Sequence, residues 1–454
     1  MKCKSLLVAG IAFSAITPSQ LSAAPISSEE AAALLDRLNQ LEQEVASLRS
    51  KLSTVETVQQ TQVEQVEQVA SVQKEVAAKD KTVINWKGAP EIKSEDGWSF
   101  KPRGRALFDF ANLSAPDSIS VPGEGFSNEA RRVRLGVQGT VPGGFGYKIE
   151  ADFADGVELT DALIEYKSGN LKLTVGQHNN FQSLEELSSS NDTSFIERSA
   201  FTDAFGFERK VGISAEYKAG DVLLQGGVFT DNISDLGAAN DSIGLDGRIV
   251  FAPKIGNAQL HLGASGHWRD LGDNITTVRY RQRPLIHSVS TRFINTGNIA
   301  GATSETSYGL EAAVISGRFH ASAETHWAKV NRMAMPNPTF FGGSVEAGLF
   351  LTDDKREYKG GVFKGVKVKN PVGSGGIGAV QFNVRYDRLD LVDAGIIGGT
   401  QDGYMASLIW TPVNQVRFLL NYGHLVYGDA LGIVPGAPNN YSVDVFGARA
   451  QVSF

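Results

Sequence analysis

From about Trp98 to Phe454 the chain repeats one pattern, in which short segments of alternating apolar and polar residues are separated by turns rich in Gly, Asn and Asp. A period of two is that of a β-strand and sends the two sets of side chains to opposite faces of a sheet. In GYKIEADF (146–153), Tyr147, Ile149, Ala151 and Phe153 oppose Lys148, Glu150 and Asp152. In RRVRLGVQG (131–139), Val133, Leu135 and Val137 oppose Arg132, Arg134 and Gln138. VLLQGGVF (222–229), QFNVRYDRL (381–389) and YMASLIW (404–410) continue the series. Such a chain folds either as a soluble sandwich, with the apolar face in a core, or as a barrel, with that face in lipid.

The final segment favours lipid. In VFGARAQVSF the residues Phe446, Ala448, Ala450, Val452 and Phe454 share one face, while Gly447, Arg449, Gln451 and Ser453 occupy the other. An apolar outer face, a polar inner face and a terminal aromatic fit the closing strand of an outer-membrane barrel. The ending also resembles the C-terminal signal by which such barrels are recognised for insertion. No stretch approaches 18 consecutive apolar residues, so no transmembrane helix is expected.

The N-terminal part reads differently. Residues 1–24, a short basic start, the apolar run LLVAGIAFSAI and small residues at Ser22 to Ala24, predict a secretory signal peptide. Cys3, the only cysteine, falls inside it. Residues 28–80 contain no Gly, Pro or aromatic residue, and carry an unbroken 3–4 repeat at Leu34, Leu38, Leu41, Val45, Leu48, Leu52 and Val55. It continues through Gln59, Gln62, Val66, Val69, Gln73 and Val76, which predicts a periplasmic α-helical coiled coil and hence a homo-oligomer. Residues 86–454 are expected to form the barrel.

A formal charge of −7 excludes a general nucleic-acid binder, which needs broad phosphate neutralisation. Positive function must be local, and VRYRQRP supplies it: in an extended chain Arg279, Arg281 and Arg283 share a face. Like charges so placed repel unless something negative visits them. GSGGIG (373–378) matches a dinucleotide fingerprint, but an alternating strand follows it where a helix is required, so it reads as a turn. The seven His residues include no metal-ligating motif, and neither metal nor cofactor is expected.

Several segments, in this order, resemble the phosphate-selective porin O and P family: WSFKPRGR (98–105), ARRVRLGVQG (130–139), TDALIEY (160–166), SLEELSSSNDTSFIERSAF (183–201), HWRDL (267–271) and VRYRQR (278–283). The resemblance implies a homotrimer of 16-stranded antiparallel transmembrane β-barrels in the bacterial outer membrane. Lipid and lipopolysaccharide would surround it, and phosphate or other small anions would pass through. It implies that Arg279, Arg281 and Arg283 are rungs of a lumenal anion ladder. Arg105, Arg131, Arg132 and Arg198 would then surround the constriction, with Ser189 and Ser190 donating hydroxyls to a bound oxyanion. Arginine suits this role because its planar donors match phosphate oxygens and it stays charged. Two positions depart from the family. Glu186 stands where phosphate-specific members carry a central lysine, and His287 occupies the fourth ladder position. Both modify selectivity, so a general or organic-solute porin is the alternative. The arginines of 279–283 would also suit an outer loop facing lipopolysaccharide phosphates. A barrel hydrolase would need a Ser–His dyad, for which no motif is present, so catalysis is not expected. Contact between the coiled coil and the cell wall is a further expectation.

Overall fold

The structure, a computed structural model, describes residues 27–79, 82–86, 88–119, 121–430 and 436–454. The expected signal peptide, and Asp80 at the end of the expected coiled coil, lie outside the described residues. Two compact units divide the chain, Met1–Asp80 and Lys81–Phe454.

The first unit is a single helix, α1 (Ser28–Lys79). Ser27 caps it: its hydroxyl accepts from the Glu30 amide at 3.3 Å, and its own amide donates to the Glu30 carboxylate at 3.2 Å. This reciprocal box satisfies two donors that a helix start otherwise leaves unpaired. The helix would run about 78 Å at 1.5 Å per residue. Leu34, Leu38, Leu41, Leu48 and Leu52 are each more than half exposed, so one helix alone leaves its apolar stripe uncovered.

The second unit is a closed antiparallel barrel of sixteen strands. They are β1 (Ser99–Ser114), β2 (Gly125–Val141), β3 (Phe145–Asp152), β4 (Glu158–Ser168) and β5 (Leu171–Asn179). Then come β6 (Arg209–Ala219), β7 (Val222–Phe229), β8 (Ile243–Phe251), β9 (Ala258–Asp270) and β10 (Ala302–Ser316). The wall ends with β11 (Phe319–Arg332), β12 (Thr339–Phe350), β13 (Ala379–Asp393), β14 (Ile396–Val413), β15 (Val416–Gly428) and β16 (Tyr441–Ser453). Each strand pairs with its neighbour in sequence, and β16 closes on β1 with Ser453 opposite Arg105 and Asp444 opposite Ser114. Closure leaves no unpaired wall edge, which a hydrocarbon environment demands. A short hairpin, Val83–Trp86 with Pro90–Lys93, extends the start of β1.

The expected alternation holds along the wall. In β1, Phe108 and Phe110 are exposed while Leu107 and Asp109 are buried. Outward aromatics gather in two belts. Phe100, Phe145, Tyr217, Phe251, Phe319 and Trp410 lie toward the end where most turns are short, and Phe126, Phe153, Tyr308, Tyr404 and Tyr422 toward the other. Such girdles mark the two water interfaces of a membrane barrel.

At the long-loop end, residues 180–208 and 271–301 fold into the lumen. They bury Phe195, Phe201, Phe207, Leu285, Ile286 and Phe293 against inward wall residues such as Leu389 and Tyr427. The apolar core therefore sits inside the barrel, beneath its loops. The opposite end has one exception to its short turns, the segment 351–378, which carries a hairpin (Glu357–Lys359 with Val362–Lys364) and also turns inward. Val362 and Phe363 pack with Leu184 of the loop 180–208 and Ile315 of β10. Gly373, Gly375 and Gly378 take positive φ at the end of this segment and lead directly into β13, so GSGGIG is a turn.

Candidate functional site

Strict alternation in β2 puts Arg132 and Arg134 in the lumen and Arg131 outside. The structure brings all three inside. The reason is a bulge: Leu107 pairs with Arg132 and Phe108 with Ala130, leaving Arg131 unopposed. An extra residue re-aims the side chains around it without breaking the sheet. Consecutive arginines thereby face one chamber, which period-two reasoning forbids.

The loop 180–208 crosses that chamber and is held from many sides. The Glu324 carboxylate accepts from the Ser183 hydroxyl at 2.8 Å and from the amides of Leu184 and Glu185 at 2.8 and 2.9 Å, fixing the short helix α2 (Leu184–Leu187). Arg385 donates to the Glu185 carboxylate at 2.9 Å and the Glu197 carbonyl at 2.8 Å, and lies 4.2 Å over the Phe195 ring. Asp387 accepts from the Ala200 amide at 2.9 Å, at the start of the helix α3 (Ala200–Ala204). Arg417 donates to the Thr193 carbonyl and Ser407 to the Ser194 carbonyl, at 2.9 and 2.7 Å. Charge-assisted bonds of this kind tie the loop firmly to the wall.

The chamber so formed has a volume of about 460 Å³ and is lined by Arg103, Arg105, Arg131, Arg132, Arg134, Arg198, Ser189, Ser190, Glu186 and His287, among others. Most of its cations already have partners. Arg131 binds Glu197 at 2.8 and 3.2 Å, and Arg449 reaches the same carboxylate at 3.3 Å. Burial alone would raise the Glu197 carboxyl; Arg131, with Arg449 and Arg132 behind it, holds it well below the usual range. Arg105 shares Glu150 at 3.4 Å and donates to the Ser190 hydroxyl at 3.0 Å. Arg134 is tied to Asp152 at 2.7 Å. Ser189 Oγ accepts from the Asn191 amide at 3.3 Å. His287 meets Glu129 at 2.9 Å.

Two residues stand out. The Arg132 guanidinium makes no hydrogen bond or ion pair among the described residues, so its donors are open to the chamber. Glu186 is not a free anion: Arg198 lies 3.4 Å from it while also donating to the carbonyls of Glu185, Glu186 and Ser188. Burial raises the Glu186 carboxyl above its ordinary value, opposed by Arg198 and then by Arg209 and Arg132.

A second chamber, of about 520 Å³, adjoins the first, and Arg283, Asp203 and Glu208 line both. VRYRQRP borders it, not as wall strand but within the loop 271–301, as two short extended pieces, Thr277–Val278 and Arg281–Gln282. The alternation survives: Tyr280 and Gln282 are buried, while Arg279, Arg281 and Arg283 face the chamber. Tyr280 anchors the segment through its hydroxyl to Glu305 of β10 at 2.5 Å. Arg279 donates only to the neutral Asn295 at 2.8 Å, and among the described residues none of the three forms an ion pair. Arg292 joins them. Burial pushes its guanidinium down to about 10, with Arg283, Arg281 and Arg279 adding to the effect and Asp203 opposing it.

Arg292, Glu197, Arg209 and Lys364 also line these chambers, and neither the alternation nor the resemblance singles them out. Glu197 stood beside a named arginine and was the one with a readable signal, since a lumen rich in arginine needs carboxylates on the same loop.

A closed antiparallel barrel with outward apolar belts and a charged lumen narrowed by inward loops is an outer-membrane porin channel. Residues 100–454 match the family described as Phosphate-selective porin O and P, and the chain belongs to it. An uncharacterized protein of Caulobacter vibrioides is 47% identical over 389 residues, covering 83% of this chain and 78% of that one. Among solved structures, the trimer form of OmpT from Vibrio cholerae superposes with a TM-score of 0.50 at 12% identity, over 79% of this chain and 100% of that one. The outer-membrane channel DcaP of Acinetobacter baumannii gives 0.50 at 15% identity, over 80% and 99%. These distant structures share the barrel fold.

Proposed function

We propose that this porin is an anion-preferring channel for passive uptake of phosphate or related small anions. The observation that carries this reading is the run Arg279, Arg281, Arg283 and Arg292, without ion-pair partners among the described residues, leading into a chamber where Arg132 is also open. Fixed positive charge in a narrow passage concentrates anions and repels cations. Several moderate sites in series let an ion exchange partners without a deep trap. Arg105, Arg131 and Arg198 serve differently from Arg132: each is bound to a carboxylate or to loop carbonyls, and they shape the passage. Titrating single-channel chloride current with inorganic phosphate tests the reading. A graded block supports it, and an unchanged current at high phosphate counts against a phosphate site.

The alternative, a porin for mixed-charge organic solutes, draws on Glu186 beside Arg198, which offers both signs at one station. We also infer a homotrimer with α1 as a periplasmic coiled coil, since the OmpT structure is a trimer form and the stripe on α1 needs partners. Residues 1–24 would be removed on export.

A further inference from the structure

In this chain the lysine expected ahead of the serine pair is replaced by Glu186, and Arg198 occupies that carboxylate. A cation nevertheless reaches the chamber from another direction. The segment 351–378 enters from the short-turn end and its hairpin places Lys364 in the chamber lining, together with Ser188, Ser189, Ser190, Arg105 and Arg132.

The placement is fixed by the residues around it. The amide of Phe363 donates to the Ser188 hydroxyl at 3.2 Å, tying the residue before Lys364 to the serine run. Arg356 at the base of the hairpin donates to the Ser194 hydroxyl at 2.7 Å and the Asp192 carbonyl at 2.8 Å, and lies 4.2 Å over the Phe363 ring. Arg248 of β8 holds the hairpin tip through the Gly361 carbonyl at 2.9 Å. Val362 and Phe363 bury the other side. The Lys364 side chain is half-buried, and its ammonium has no hydrogen bond or ion pair among the described residues. Burial lowers its ammonium pKa; Asp192 opposes this from beyond ion-pair range, while Lys359, Arg103 and Lys172 reinforce it. A positive group that is partly desolvated, positioned and unpaired gains most from a ligand that brings negative charge.

We propose that Lys364 is a specificity-determining ligand of the central station, supplying an amine from the inward segment where position 186 carries a carboxylate. Its ligand is an oxyanion of phosphate type, held between the Lys364 ammonium, the Arg132 guanidinium and the Ser189 and Ser190 hydroxyls. The assignment rests on the anion-channel reading and extends it. It also separates roles within one chamber. Arg105, Arg131 and Arg198 are committed to the protein, whereas Lys364 and Arg132 are free for the solute.

The test compares Lys364→Gln and Lys364→Arg with Lys359→Gln, a control on the exposed end of the same hairpin. The readouts are inorganic-phosphate block of chloride current and reversal potential in a KCl gradient, with the full-length protein in planar bilayers. Losing one charge-assisted contact is expected to weaken phosphate block about tenfold or more in Lys364→Gln. Lys364→Arg keeps most of it and Lys359→Gln all of it, and reversal potentials remain anion-preferring because the arginines are intact. Equal block in Lys364→Gln and wild type overturns the assignment. An anion-preferring wild-type channel that phosphate does not block overturns it too, leaving the anion-channel reading standing. Cation preference in the wild type overturns both.

Discussion

Glu186 and Arg198 meet at 3.4 Å inside one inward loop, so the Glu186 carboxylate is partly neutralised by a residue of its own loop. The neutralisation is incomplete because Arg198 spends three further donations on the carbonyls of Glu185, Glu186 and Ser188. Glu186 therefore still subtracts from the positive field that Arg132 and Arg209 add to the chamber.

Replacing that carboxylate is predicted to strengthen anion preference. A unit charge roughly 6 Å from the ion path is worth about 0.7 kcal/mol in water-like surroundings, or about threefold in relative permeability. Glu186→Gln should shift the reversal potential accordingly, and Glu186→Lys should shift it further.

The same group predicts a pH dependence. Burial raises the Glu186 carboxyl, against the fields of Arg198, Arg209 and Arg132 and with that of Glu185. On acidification it becomes neutral before an ordinary carboxylate does, so anion preference should rise as pH falls through that raised value. Reversal potentials measured across pH in wild type and Glu186→Gln check this, because the variant should lack that component.

Arg131 and Arg132 are adjacent yet should respond oppositely to truncation. Arg132→Ala removes an unpaired cation and is predicted to reduce anion permeability about threefold by the same Coulomb estimate, with barrel stability intact. Arg131→Ala leaves the Glu197 carboxylate with Arg449 at 3.3 Å as its remaining close partner. Its cost should appear as stability, about 1–3 kcal/mol in urea unfolding.

Arg385 clamps the loop 180–208 to β13 through Glu185, the Glu197 carbonyl and the Phe195 ring. Arg385→Ala should loosen that loop, giving larger and noisier single-channel openings. Quiet wild-type currents from this variant would show that the remaining tethers suffice.

How much of this was legible in the sequence differs from element to element. The wall was readable because one face meets lipid and the other water, so every strand carries the same alternation, from Tyr147–Phe153 to Phe446–Phe454. The arginines of VRYRQRP were readable as one face, but their place was not. A loop folded into a polar lumen, with Tyr280 and Gln282 turned inward, alternates just as a wall strand does. Resemblance points to Arg131, whereas the bulge that admits it is a register event between two strands and leaves no mark in either one. The inward segment 351–378 escaped for the same reason: Arg356 and Phe363 acquire meaning only through Ser194 and Ser188, which lie far away in the chain.

Whether the lumen selects for anions is read from the reversal potential in planar bilayers across a KCl gradient. The arginines at 279, 281, 283 and 292, with Arg132 and Lys364 beyond them, predict a potential close to that of chloride. A potential close to that of potassium would mean instead that the lumenal carboxylates, not the unpaired arginines, govern what passes, and would rule out an anion-selective lumen.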